Sequence, residues 1–175
     1  TASASSDLSF VDGTSDVVLD STYKEYLFTF NNIHPETDGA HFTFNMSTDG
    51  GSNYNVTKTT TLFQAYHSEN DSSTALTYRA PDDLAQSTSY QYLSADVDND
   101  NDSSLSGSLI LYNPSSSTFV KHFMANTNSV FNSARSLEVF VGGYGNTTSA
   151  VDAIDFKFAS GNIDAGDICL YGIST

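Results

Sequence analysis

The sequence predicts an all-β protein: an antiparallel two-sheet β-sandwich, jelly-roll-like, with about ten strands and little helix. Three observations carry this. Apolar residues recur at every second position, the spacing at which successive strand side chains fall on one face. The runs are rich in Phe, Tyr, Val and Thr, which fit a pleated surface. Between the runs lie Asp-Gly, Asn-Pro and Asp-Gly-Gly clusters, whose residues tolerate or preset turn dihedrals. An immunoglobulin-like sandwich ranks second, because 175 residues is long for one and no Trp is present to supply the Cys…Trp…Cys pattern.

Taken in order, residues 1–6 (Thr-Ala-Ser-Ala-Ser-Ser) have neither a basic start nor an apolar run. They are read as a flexible or docking N-terminal arm rather than a secretory leader, with one β-sandwich domain over residues 7–175. Asp7–Val11 is the first expected strand, closed by Asp12-Gly13. Tyr26, Phe28 and Phe30 then alternate with Glu25, Leu27 and Thr29, and Phe42, Phe44 and Met46 alternate with His41, Thr43 and Asn45. Tyr54–His67 follows the Asp49-Gly50-Gly51 turn. Asp82–Gln86, with Pro81 before it, is the one place suited to a short helical turn. Gln91–Ala95, Leu105–Tyr112, Phe119–Thr127 and Leu137–Gly143 are further strands. The very polar stretch 96–108 between them reads as an exposed loop. Gly142-Gly143-Tyr144-Gly145 reads as a bulged turn or a close backbone approach, since it opens no helix. Ile154, Phe156 and Phe158 alternate with Ala153, Asp155 and Lys157, and Asp167–Ile173 closes the chain.

Charge narrows the function. The chain carries 21 Asp+Glu against 6 Lys+Arg, a net charge of −15. Six cations cannot neutralise a run of phosphates, which excludes a nucleic-acid binder and disfavours anionic membranes. No apolar stretch has the length of a bilayer span. Charged residues are only 15% of the sequence, so hydroxyls and amides must form much of the surface. The single Cys169 permits no internal disulfide, and in Ile168-Cys169-Leu170-Tyr171 it reads as a small strand hydrophobe.

Candidate chemistry is sparse. Asp96, Asp98, Asp100 and Asp102 alternate with Val97, Asn99 and Asn101, a set of hard oxygens suited to Ca²⁺ as a metal loop. The EF-hand register fails, because Ser103 or Asn101 stands at its glycine position and Leu109 or Gly107 at its glutamate. The competing reading is a solvated acidic hairpin tip. No pair among His34, His41, His67 and His122 has zinc spacing. His34 reads as structural. His67 and Glu69 share a face if extended, but no nucleophile motif accompanies them. Tyr78, Tyr90 and Tyr92 flank loop-like sequence and are candidate ligand-binding aromatics for a sugar or a partner. Sequons stand at Asn45, Asn55, Asn70, Asn101 and Asn146, as expected in any chain rich in Asn, Ser and Thr.

Several segments resemble a family of small virion structural proteins of tailed bacteriophages, many of them marine. They are Asp20-Ser21-Thr22-Tyr23-Lys24-Glu25-Tyr26 with Asn32-Ile33-His34-Pro35; Phe63-Gln64-Ala65-Tyr66-His67-Ser68-Glu69; Asn113-Pro114-Ser115-Ser116 with Phe119-Val120-Lys121-His122-Phe123; and Phe156 through Gly166, ending in Leu170-Tyr171-Gly172-Ile173. The resemblance implies a non-enzymatic component of the virion, assembled in the host cytoplasm: a capsid decoration (cement) protein, or part of a tail or fibre. Its expected partners are further copies of itself, a trimer above other symmetries, and the capsid or tail proteins beneath. The alternative is a carbohydrate-binding or adhesin sandwich, Ca²⁺-dependent or not, that contacts a cell-surface glycan. A glycosidase or esterase comes third, since 21 acids pair by chance alone.

Overall fold

The computed structural model describes residues 1–174. Twelve strands and no helix occur among them: β1 (Ala2–Ser5), β2 (Leu8–Val11), β3 (Glu25–Pro35), β4 (Phe42–Ser47), β5 (Lys58–Ser68), β6 (Thr74–Tyr78), β7 (Gln91–Tyr92), β8 (Leu105–Tyr112), β9 (Lys121–Phe131), β10 (Arg135–Gly145), β11 (Ala153–Phe158) and β12 (Ile163–Ile173). They form two antiparallel sheets, one of eight strands in the order β1-β12-β3-β8-β9-β10-β5-β6 and one of four in the order β2-β11-β4-β7.

The two sheets pack face to face on the alternating aromatics. Phe156 of β11 sits at the centre, with ring centroids of Phe30 and Phe28 at 5.2 and 5.3 Å, Phe42 at 6.1 Å, Phe10 at 6.2 Å and Phe44 at 6.3 Å. Most of these pairs are tilted or edge-on, the arrangement that ring quadrupoles favour. Phe44 meets Phe123 of the large sheet edge-on at 4.9 Å. Every residue of β4 is buried, and all but Lys157 in β11, because loops cover the outer face of the small sheet.

Four expectations change. Residues 2–5 are no arm: Ala2 and Ser3 pair with Gly166 and Ala165 of β12, and Ala2 is buried. The Asp82–Gln86 segment makes a single turn bond, Asp82 N–H to Arg79 O, and no helix. A helix would need further bonds in register, and the following Leu84 N–H is taken by the Thr60 hydroxyl instead. Residues 96–108 are not a free loop. Val97 is fully buried and bridges Ala40 and Phe131, and β8 begins at Leu105. Nor is the acidic run a hairpin tip, since it connects β7 of one sheet to β8 of the other. Gly142 and Gly143 lie inside β10, opposite Thr61 and Thr60, where a Cβ on Gly143 would come within 2.6 Å of the Thr59 carbonyl. Here the close backbone approach is the part of the expectation that fits.

Candidate functional site

The acidic connector is held by its own backbone. The Asp96 N–H donates to His41 Nδ1 (3.0 Å), and the Asp98 N–H to the Val130 carbonyl (3.0 Å). The Asp98 carboxylate accepts from the Ser103 hydroxyl at 2.8 Å, and His34 Nε2 lies 3.3 Å from the Asp100 carbonyl. Asp98, Asp100 and Asp102 line a cavity of about 340 Å³ with Glu69, while Asp96 faces a different one. Among the described residues no three His, Cys, Asp or Glu side chains converge as a metal-holding group. Asp96 lies apart from the other three, and the segment turns at Asp100–Ser103 without closing its carboxylates round a point. His67 pairs with Asp71 (Nε2 to Oδ1, 3.0 Å) rather than with Glu69.

The three candidate tyrosines are separated. Tyr78 lies on edge strand β6, 56% exposed, with its hydroxyl on the Asp83 carboxylate. The Tyr92 ring lies tilted against His41, centroids 4.5 Å apart. Tyr90 is half-buried: its hydroxyl donates to Asp155 Oδ2 at 2.9 Å, and Lys157 Nζ lies 4.1 Å above its ring. Burial, then the neighbouring Asp155 charge, hold the Tyr90 hydroxyl well above the usual tyrosine range.

Tyr90 belongs to a cover over the outer face of the small sheet, and beneath that cover lies a polar cluster. Asn45 of β4 and Asp155 of β11 are direct cross-strand partners. Both are buried, although the alternation of their strands predicts an outward face. Asn45 Nδ2 donates to the Tyr54 carbonyl (2.6 Å) and the Thr88 carbonyl (3.0 Å), and its Oδ1 accepts from the Met46 N–H at 2.9 Å. Lys58, at the start of β5, has no exposed surface. Its Nζ reaches Asn45 Oδ1 at 2.5 Å and the Val56 carbonyl at 2.8 Å, and among the described residues no carboxylate pairs with it. Desolvation alone pushes this amine down to about 7. Asp155 accepts from the Ser9 hydroxyl (2.7 Å) and from Tyr90, and burial raises its carboxyl above the usual carboxylate range despite those two bonds. Sequence reasoning missed all three as functional residues. The available signal was a polar residue flanked by buried aromatics, Phe44-Asn45-Met46 and Ile154-Asp155-Phe156; nothing local marks Lys58.

The third feature is the outer face of the large sheet. Tyr171, Leu27, Ile110 and Met124 are successive cross-strand neighbours across β12, β3, β8 and β9, and the row continues through Gly142 and Thr61. The adjacent row runs from Cys169 through Thr29, Ser108 and Asn126, then to Phe140, Phe63 and Tyr78 on β10, β5 and β6. Neither row contains a carboxylate, a lysine or an arginine. Met124 is 60% exposed and Tyr171 50%. Phe63 and Phe140 stack on the open face at 4.8 Å. At roughly 4.8 Å per strand and two rows deep, this strip spans about 30 Å by 14 Å.

No family model, curated protein or solved structure matches the chain.

Proposed function

We propose that the chain is a non-enzymatic structural protein of a virus particle that assembles by docking the outer face of its large sheet on further copies of itself. The observation that carries this reading is the uncharged strip. A chain with net charge −15 repels its own copies everywhere that carboxylates crowd the surface. The strip itself adds no like charge to such a contact, Glu25, Glu138 and Asp167 standing in the rows that flank it. Its roughly 400 Å² falls in the range of the largest patch on a typical monomer, which is often functional. With a polar rim it reaches the roughly 800 Å² per partner of a standard interface. Repetition on a particle multiplies a modest pairwise affinity, so a decoration or tail component needs no deep pocket. The segment resemblance to phage virion proteins points to the same role, in a closed oligomer such as a trimer seated on capsid or tail.

Sedimentation velocity tests this directly. The wild-type chain is expected to form a discrete oligomer at micromolar concentration and physiological salt. Met124→Glu with Phe63→Glu, placed on exposed positions, should give a folded monomer. A wild-type chain that stays monomeric and fails to co-sediment with particles refutes the reading.

A further inference from the structure

We infer that Lys58 and Asn45 are joined by an intramolecular isopeptide bond, formed within the folded chain. This stands apart from the assembly reading and rests on the covered cluster of the small sheet.

The reaction needs a neutral amine in contact with a carboxamide, with water kept out. Lys58 and Asn45 are both fully buried, and the amine touches the carboxamide oxygen with no carboxylate to hold it charged. Burial leaves a large share of this lysine unprotonated near neutral pH. The carboxamide is polarised for attack, because Oδ1 accepts the Met46 N–H, and it cannot rotate away, because Nδ2 is held by the Tyr54 and Thr88 carbonyls.

The step balances without an oxidant. Lys58 Nζ attacks Asn45 Cγ with its lone pair, and the carbonyl electrons move onto Oδ1 beside the Met46 N–H. The proton that Nζ sheds passes to Nδ2 within this adduct. The Cγ–Nδ2 bond then breaks, ammonia leaves, and the carbonyl re-forms as a secondary amide. The new bond ties β4 of the small sheet to β5 of the large sheet. Neighbouring Nζ and carboxamide groups held in one geometry gain the large effective molarity of an intramolecular reaction.

Intact mass spectrometry of the purified full chain decides the matter. The expected mass is one ammonia below the sequence mass, with a branched peptide linking the Asn45 and Lys58 segments after proteolysis. Lys58→Met and Asn45→Ala should each restore the mass expected from their own sequence. A wild-type mass equal to the sequence mass overturns the inference whether or not the variants fold. Loss of ammonia that persists in Lys58→Met overturns it as well, since the loss then arises at another amide.

Discussion

Phe156→Ala removes the ring on which both sheets meet. The wild-type ring has five aromatic neighbours between 5.2 and 6.3 Å and no exposed surface. Truncating a buried Phe costs about 3–5 kcal/mol, from lost transfer energy plus the cavity left behind. Here the upper half of that range is expected, about 4 kcal/mol. Neighbouring rings are stiff and anchored in two different sheets, so the cavity cannot collapse by side-chain movement alone. Phe156→Leu keeps most of the volume and should cost only about 1.5 kcal/mol. With no Trp and 10 Tyr, urea unfolding is best followed by tyrosine fluorescence together with far-UV circular dichroism. The midpoint should fall while the slope stays at the wild-type value, since the unfolded surface is unchanged. A loss below about 1.5 kcal/mol for Phe156→Ala at constant slope would refute the claim that this residue centres the core.

Gly107→Ala should cost about 2–3 kcal/mol in the same assay, because the added Cβ would meet the Asn126 carbonyl at 2.3 Å and Thr127 Cα at 2.7 Å, both backbone of β9. Tyrosine absorbance near 295 nm should titrate in two phases: the folded state holds the Tyr26, Tyr54 and Tyr90 protons above their usual value of 10.0, so stability is full below that pH and falls above it. In Asn45→Ala protein, where the Lys58 amine stays free, the sign is opposite. Its folded pKa is about 7 against 10.5 unfolded, so the unfolded chain binds more protons between those values, and stability should rise with pH there by up to about 1.4 kcal/mol per unit. Self-association should strengthen from 10 mM to 150 mM salt, as screening shrinks the repulsion between two copies of net charge −15; association that weakens with salt would mean that ion pairs rather than the uncharged strip hold the oligomer.

The strands of the core were legible because Phe and Tyr at alternate positions are a strong signal. Leu105–Tyr112 matches β8 end to end, and β3, β4 and β11 coincide with their aromatic alternations. What escaped has physical reasons. β1 reads Ala-Ser-Ala-Ser, too small and polar to register as a strand, and β6 is a five-residue edge after a turn-rich segment. Gln91–Ala95 yields only a two-residue β7, because the Leu93 and Ser94 N–H groups both turn onto the Phe42 carbonyl. Alternation also misled where a sheet has two covered faces. It assigned Asn45 and Asp155 to solvent, although loops bury them. The outer strip was hidden for the converse reason: Leu27, Ile110 and Met124 sit between core residues, and a continuous apolar run does not say which of its faces is open.

The fate of the cations ties the acidic surface to that strip. Lys58 and Lys121 are fully buried, and Lys121 Nζ is spent on the Phe119 and Thr147 carbonyls. Lys157 lies on the Tyr90 ring, Arg135 lies over the Tyr66 and Phe131 rings, and Arg79 is bound to Asp82. Of the six, Lys24 alone is exposed without such an engagement. Apart from Arg79 and Lys24, the cations therefore hold loops and rings in place instead of offsetting carboxylates at the surface. Two copies meeting through any acidic patch would find almost no lysine or arginine to pair with. Contact through salt bridges is thereby closed off, and an uncharged, corrugated sheet face is left as the route by which identical copies can pack.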